Sequence, residues 1–331
     1  MKLHALIIVA LAGAGCSRHP GLNLTLIDSS VRKPSNVAVY FSVETEDGEP
    51  VAGLQADQFR IYEDGRLISV HESKQTILNP EIAAAHYTLL LIDMSGSVTE
   101  SDDVPTIISG ATTFASLVGK HQEVAVYAFD GGPKLTRISG FARDPGAVSR
   151  AIERLDGYQA RDPSTNLNGA IVEGLEILDR QMRRASVPLR FGTLVVFTDG
   201  TDRAARVDRE ELYAAIDASP HEIYVIGVGN EVDASELSGI GRDGAILSKD
   251  RSEISSAFEQ AAARVEAATK KYYLLGYCSP SRAGVHEVRV EAFYDGKSGS
   301  LGREFNAQGF RAPCDPNQPP AFRIRGQVSA R

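Results

Sequence analysis

The sequence predicts an α/β fold: a doubly wound, mostly parallel sheet with helices on both faces, inserted in or flanked by a small antiparallel β-sandwich. Four segments between residues 86 and 270 are apolar throughout, as strands buried on both faces are: YTLLLID, EVAVYAF, FGTLVVFTD and EIYVIGVG. Helical patterns separate these segments, which favours parallel strands joined by crossover helices. On either side of this region, alternating apolar residues and turn signals indicate antiparallel strands instead.

The chain begins with the pattern of an export signal. A basic residue precedes a short apolar stretch, and small residues lead up to Cys16. The stretch is too short to span a membrane, so residues 1–15 are predicted to be a signal peptide. The sequence GAGC resembles a bacterial lipoprotein box, although Gly13 stands where an aliphatic residue is usual. We therefore expect residues 16–33 to be a tether with a lipid on Cys16, with ordinary cleavage after AGA and a secreted protein as the alternative.

Three cysteines, Cys16, Cys278 and Cys314, support the same prediction. In an exported protein two cysteines are expected to pair. If Cys278 pairs with Cys314, Cys16 is the unpaired cysteine, and attachment of a lipid explains why it is present. The expected location is the cell envelope, with the protein anchored in the outer membrane or a periplasm-facing membrane. Ser17, which is not the Asp that suggests inner-membrane retention, favours the outer membrane.

The predicted domains follow these changes of pattern along the chain. Residues 34–82 form an N-terminal β segment, in which NVAVYFSV alternates like a half-buried strand. Residues 83–270 form the α/β domain. Residues 271–315 supply further strands that complete one sandwich with the first segment. Residues 316–331 are a Pro-rich tail.

Two details of the α/β region are also predicted. The segment KLTRISGF adds an antiparallel edge strand after EVAVYAF. Asp250 and Glu253 resemble a capping box at the start of the last helix, with Asp in place of Ser or Thr.

Oxygen-bearing side chains lie at the ends of three of the predicted elements. Asp93, Ser95 and Ser97 come directly after one buried strand, Thr165 precedes a helix, and Asp199 follows another buried strand. In an open α/β sheet these positions meet outside the carboxyl ends of the strands. Mg²⁺ and Ca²⁺ take oxygen ligands, and Mg²⁺ usually keeps several waters. The five residues therefore predict a divalent-metal site, with Mg²⁺ expected and Ca²⁺ or Mn²⁺ as alternatives.

Residues 86–270 resemble a von Willebrand factor type A domain, also called an integrin I domain. The family has a metal-ion-dependent adhesion site (MIDAS) written D-x-S-x-S, then Thr, then Asp, and the five residues above match it in order. The resemblance implies direct metal contacts from the hydroxyls and contacts partly through water from the aspartates. It also implies an open metal position that accepts an Asp or Glu carboxylate from a partner protein.

The segments on either side extend this resemblance. YFSVETEDGEPVAGLQADQFRIYEDGRLISV before the domain and KYYLLGYCSP after it resemble bacterial exported proteins of the "von Willebrand factor A-related, acidobacterial-type" family. Membership of that family says little about function.

Composition and motifs narrow the expected function. A formal net charge of -8 argues against nucleic acid as a partner. The seven histidines have no zinc-like spacing, and no general base stands beside the five ligands, so an enzyme is not expected. We expect an exported, lipid-anchored protein that binds a partner through its metal. The alternatives are a structural envelope component with a stabilising metal and, less favoured, a metal-dependent enzyme subunit.

Overall fold

The computed structural model describes residues 21–78, 84–184 and 189–315. The predicted signal peptide, Cys16 and the predicted tail lie outside these residues. None of the helices that the model describes is both long and apolar enough to cross a membrane. The elements, in chain order, are β1 (Leu22–Arg32), β2 (Asn36–Thr45), β3 (Phe59–Glu63), β4 (Arg66–Leu67), β5 (Thr76–Leu78), β6 (Ala84–Asp93), α1 (Gly96–Thr99), α2 (Val104–Val118), β7 (Glu123–Phe129), β8 (Thr136–Ala142), α3 (Pro145–Ile152), α4 (Leu167–Arg184), β9 (Leu189–Thr198), α5 (Arg209–Ala218), β10 (Glu222–Val228), α6 (Ala234–Ile240), β11 (Gly244–Ser248), α7 (Ile254–Lys270), β12 (Tyr272–Cys278), β13 (Val285–Tyr294) and β14 (Lys297–Asn306).

The central sheet has six strands in the order β11-β10-β9-β6-β7-β8. Its pairs are parallel except for β8, which runs antiparallel to β7 at one edge. The predicted mostly parallel sheet and the predicted antiparallel edge strand are therefore confirmed.

Successive side chains of β6 enter two separate hydrophobic cores, one on each face of the sheet. Leu90 and Ile92 pack in the core that contains Phe258 of α7. Leu89 and Leu91 pack in the core that contains Ile171 of α4. Because both faces are covered, residues 89–92 of the strand are all apolar, and this is the pattern that predicted the sheet.

Helices α2 and α7 pack closely on one face of the sheet. A side chain at Gly110 would place its Cβ 2.5 Å from the ring of Phe258, which is fully buried and stacks on Phe197 with 5.1 Å between ring centroids. The missing Cβ at Gly110 therefore allows α7 to approach α2 at this point.

Two four-stranded antiparallel sheets lie beside the α/β domain, in the orders β1-β2-β12-β5 and β14-β13-β3-β4. They share one hydrophobic core, in which Phe41 of β2 contacts Phe59 of β3 edge to face at 5.6 Å. Tyr273 of β12 enters the same core and donates its hydroxyl to the carbonyl of Val51 at 2.8 Å. Both sheets combine strands that precede the α/β domain with strands that follow it, so this domain is inserted between β5 and β12.

The predicted tether over residues 16–33 is wrong for its second half. Residues 22–32 form β1, which pairs antiparallel with β2 along its whole length. Leu22, Leu24 and Leu26 alternate and contact the sandwich core, and this period-two pattern is the signal that the tether prediction overlooked. The N-terminal β segment accordingly begins before residue 34.

The α/β domain and the sandwich meet at the amino ends of the central strands, in what we call the base interface. Lys271, between α7 and β12, is mostly buried and lies 2.9 Å from the carboxylates of both Glu44 and Glu222. Burial acts to lower the pKa of Lys271, but the two carboxylates outweigh it and raise the pKa above its usual value. Beside this group, Tyr272 stacks on Phe191 with 4.3 Å between ring centroids. Charge and aromatic packing therefore hold the two parts together.

Cys278 and Cys314 form a disulfide, as predicted. The bridge joins the end of β12 to the segment after β14, across a sequence separation of 36. In the chain-entropy account, closing a loop of this length stabilises the folded state by about 3–4 kcal/mol.

The base interface predicts a stability that depends on pH. His86 stacks on Phe191 at 5.0 Å, and burial lowers its pKa from 6.5 to about 4. As pH falls, the unfolded chain takes up this proton first, so the free energy of unfolding should decrease by about 3 kcal/mol between pH 6.5 and 4. Above that window His86 should contribute no pH dependence.

Urea unfolding across this range would measure the effect, with His86→Phe as the variant that removes the buried imidazole. His71, which is exposed, provides the matched control as His71→Phe. The same pH dependence in wild type and His86→Phe would contradict the assignment.

Candidate metal centre

Asp93 is the last residue of β6 and is fully buried. Its Oδ1 accepts a hydrogen bond from the backbone N–H of Ser95 at 2.9 Å, and its Oδ2 accepts one from the hydroxyl of Thr198 at 2.7 Å. Burial, with a smaller contribution from the nearby carboxylate of Asp199, raises the pKa of Asp93 to about 6, although the hydrogen bonds from Ser95 and Thr198 act to lower it. These two neutral donors fix the carboxylate in position.

Asp199 follows β9, the strand adjacent to β6, and this neighbour relation brings it to the same edge of the sheet. The hydroxyl of Ser97 donates to Asp199 Oδ1 at 2.9 Å, and the hydroxyls of Ser95 and Ser97 lie 3.3 Å apart. Asp93, Ser95 and Asp199 are buried, whereas Ser97 is exposed. The cluster therefore opens to solvent at Ser97.

Thr165 belongs to the loop that leads into α4, and backbone hydrogen bonds hold this loop against the other two. Gly96 donates its N–H to the carbonyl of Pro163 at 2.8 Å, and a Cβ at Gly96 would lie 2.9 Å from the Cβ of Pro163. The carbonyl of Thr165 accepts from the N–H groups of Arg203 and Ala204, in the loop after Asp199. The structure thus places the loops carrying all five predicted ligands side by side.

Two further acidic residues lie in these loops and serve loop structure. Asp130 accepts hydrogen bonds from the backbone of Gly132 and Arg161 and from the hydroxyl of Tyr158. Asp162 accepts from the backbone and hydroxyl of Ser164 and from the guanidinium of Arg206. Their oxygens are thus engaged in organising the loops around the cluster.

The donor set of the cluster consists of oxygen atoms alone: two carboxylates and three hydroxyls. Among the described residues no group of three or more His, Cys, Asp or Glu side chains is arranged to hold a metal, which distinguishes this cluster from a zinc site built of nitrogen and sulfur ligands. Two adjacent, largely buried carboxylates favour a compensating positive charge. A hard divalent cation fits this set, with Asp93, Ser95, Ser97, Thr165 and Asp199 as the residues that would hold it.

Sequence reasoning missed three residues of this region. Thr198 and Gly96 lie inside the recognised motifs, but their roles depend on contacts across the sheet and across two loops. Arg251 lies 52 positions after Asp199 and donates from Nη2 to Asp199 Oδ2 at 2.9 Å. No local pattern in DRSE signals that contact.

The predicted capping box before the last helix is wrong. The side chain of Asp250 accepts from the N–H of Ser252, but the N–H of Asp250 donates to the hydroxyl of Ser248 and not to Glu253. The reason is a single 3-10 turn, Arg251–Glu253, which stands between Asp250 and the start of α7.

Residues 88–201 match the family model of the von Willebrand factor type A domain. This chain contains a von Willebrand factor type A domain. Domains of this family mediate protein–protein interactions and often bind a divalent metal at a MIDAS. No curated protein matches the chain.

Several solved structures are similar to this chain. A von Willebrand factor type A protein from Catenulispora acidiphila is 13% identical, with 89% of this chain and 75% of that chain covered and a TM-score of 0.47. Proximal thread matrix protein 1 from the mussel byssus is 15% identical, with 56% of this chain and 48% of that chain covered and a TM-score of 0.46. Another structure of that mussel protein has a zinc-occupied MIDAS motif. The von Willebrand factor domain of the type V pili tip protein Mfa5 from Porphyromonas gingivalis is 10% identical, with 56% of this chain and 96% of that chain covered and a TM-score of 0.43.

The role of Thr198 in this von Willebrand factor A domain can be tested by stability. Thr198→Val keeps the shape of the side chain but leaves one oxygen of the buried Asp93 without a donor. The free energy of unfolding, measured by urea denaturation in the presence of a chelator, should fall by about 1–3 kcal/mol. Thr198→Ser retains the hydroxyl, so its free energy of unfolding should fall by less than that of Thr198→Val. Equal stability of the two variants would refute the role assigned to the hydroxyl.

Proposed function

We propose that this protein binds a partner protein through a divalent cation held by Asp93, Ser95, Ser97, Thr165 and Asp199. Mg²⁺ is the cation we favour, because the set contains only oxygen donors and leaves room for waters. The observation that carries the proposal is the hydrogen bond from Ser97 to Asp199, which joins the motif after β6 to the carboxylate after β9. The loop with Thr165 lies beside both, since its backbone accepts from Gly96 on one side and from Arg203 on the other.

The partner is proposed to supply an Asp or Glu carboxylate to the cation. Most of the cluster is buried and only Ser97 is exposed, so a partner approaches from one direction. A single carboxylate bond at this opening orients the complex, while the surrounding loops supply the contacts that decide specificity. The cation would supply the positive charge that attracts the carboxylate. The loops hold the ligands in place through their own hydrogen bonds.

Replacing either carboxylate tests the proposed cation site. Asp93→Ala and Asp199→Ala should each abolish Mg²⁺ binding measured by calorimetry, because each removes one of the two charged ligands. The circular dichroism spectrum should stay that of a folded protein. Asp217, an exposed carboxylate on α5, gives the matched control as Asp217→Ala and should bind Mg²⁺ like wild type.

Unchanged Mg²⁺ affinity in both site variants would refute the ligand assignment. If the site variants lose Mg²⁺ binding but still capture the partner from envelope extracts, the cation serves stability alone.

We further propose that the protein is exported and held in the cell envelope by a lipid on Cys16. Support comes from the apolar leader and from the Cys278–Cys314 disulfide, which leaves Cys16 as the remaining cysteine and is typical of an oxidising compartment. In cells, Cys16→Ala should move the protein from the membrane fraction to the soluble fraction, measured by fractionation and blotting. A mature N-terminus at Gly15 in mass spectrometry would contradict the lipid and favour secretion.

A further inference from the structure

Arg251 brings a positive charge into direct contact with a proposed metal ligand. Its Nη2 donates to Asp199 Oδ2 at 2.9 Å, and its Nη1 donates to Asp103 Oδ2 at 2.6 Å. Asp103 is the residue before α2, and Arg251 opens the turn before α7. The guanidinium thus bridges two acidic side chains from different elements, and one of them is the buried carboxylate that also accepts from Ser97.

The position of this guanidinium is built into the fold. The N–H of Ser252 donates to Asp250, which fixes the turn that carries Arg251. Gly229, which has a positive φ, lies directly beside the guanidinium, since a Cβ there would be in van der Waals contact with Arg251 Nη2 at 3.6 Å. Two acidic partners and a planar fork of donors then hold the side chain in one arrangement.

The charges next to Arg251 determine what its own charge does. In the surrounding loops, Arg203 pairs with Glu231 at 2.6 Å and Arg206 pairs with Asp162 at 2.9 Å, so these pairs are locally balanced. The two carboxylates of the proposed site, Asp93 and Asp199, and the carboxylate of Asp103 on the other side of the guanidinium together carry three negative charges, against the single positive charge of Arg251. A divalent cation brings this group to neutrality. Without the guanidinium, the loaded site would keep a net negative charge.

We propose that Arg251 determines the preference of the loaded site for an anionic partner and lowers the affinity for the cation in return. The inference rests on the proposed function of the same site. Like charges repel, so the guanidinium opposes entry of the cation. An acidic side chain that approaches the loaded, neutral site meets less repulsion than it would at a negative one.

The test uses Mn²⁺ and acetate on the full mature chain, with affinities from calorimetry. In chloride buffer, Arg251→Gln should bind Mn²⁺ roughly threefold to tenfold more tightly than wild type. Arg251→Lys keeps the charge and should stay close to wild type. Arg150, an exposed residue of α3, gives the control Arg150→Gln, which should leave the Mn²⁺ affinity unchanged.

Replacing chloride with acetate at equal ionic strength then tests the anion. If acetate binds the loaded site, it raises the apparent affinity for Mn²⁺, because it binds only the Mn²⁺-loaded form. This increase in affinity should be larger in wild type and Arg150→Gln than in Arg251→Gln. Asp103→Asn should have the opposite effect and weaken Mn²⁺ binding, because it removes a negative charge next to Arg251. This variant keeps the test available if Arg251→Gln does not fold.

The outcomes separate the two proposals. Wild type that binds no Mn²⁺ overturns the proposed function and this inference together. Wild type that binds Mn²⁺, with Arg251→Gln equal to or weaker than Arg150→Gln in chloride, overturns the inference alone. So does an acetate gain that is the same in all variants, or an Asp103→Asn variant that binds as wild type does.

Discussion

The antiparallel pairing of β2 with β12 is the constraint on which the rest of the molecule depends. These strands precede and follow the von Willebrand factor A domain, so their pairing requires the domain to begin and end at the same place. The base interface is at that place, where Lys271 lies between Glu44 and Glu222. The central strands then run away from the sandwich. Their carboxyl ends, with Asp93 and Asp199, lie about 30 Å from their amino ends, given ten-residue strands. The candidate site therefore faces away from the sandwich.

The organisation of the site follows from how its buried charges are held. The two oxygens of Asp93 accept from neutral donors, the backbone N–H of Ser95 and the hydroxyl of Thr198. Asp199 has one hydroxyl donor and one guanidinium donor. In a region of low dielectric such bonds are strong and directional, which keeps both carboxylates in fixed positions before any cation arrives. A cation at the proposed site would therefore require little rearrangement of the loops.

The sequence predicts those parts of this structure that depend on local pattern. Apolar runs predicted the central strands because both faces of the sheet are covered, as Leu89 and Leu90 illustrate. That the loops carrying the five candidate ligands meet could be predicted, because these loops follow a strand or precede a helix at one edge of the sheet. Alternation in LNLTL was present but was assigned to a tether, since its strand partner could not be seen. Arg251 and Lys271 could not be predicted, because their roles depend on contacts between residues far apart in sequence.

Insertion of the A domain also determines the order in which the chain can fold. The hydroxyl of Tyr273 donates to the carbonyl of Val51, 222 positions earlier, and the pairs β2–β12 and β3–β13 likewise join strands that are far apart in sequence. Long loops must close before such contacts form, which makes them slow. The A domain contains its own cores between β6 and α7 and can condense while β2 still lacks β12 and β3 still lacks β13. Closure of the sandwich is then the late step, and during synthesis the apolar faces of those early strands remain open to chaperones or to other chains until β12 and β13 emerge.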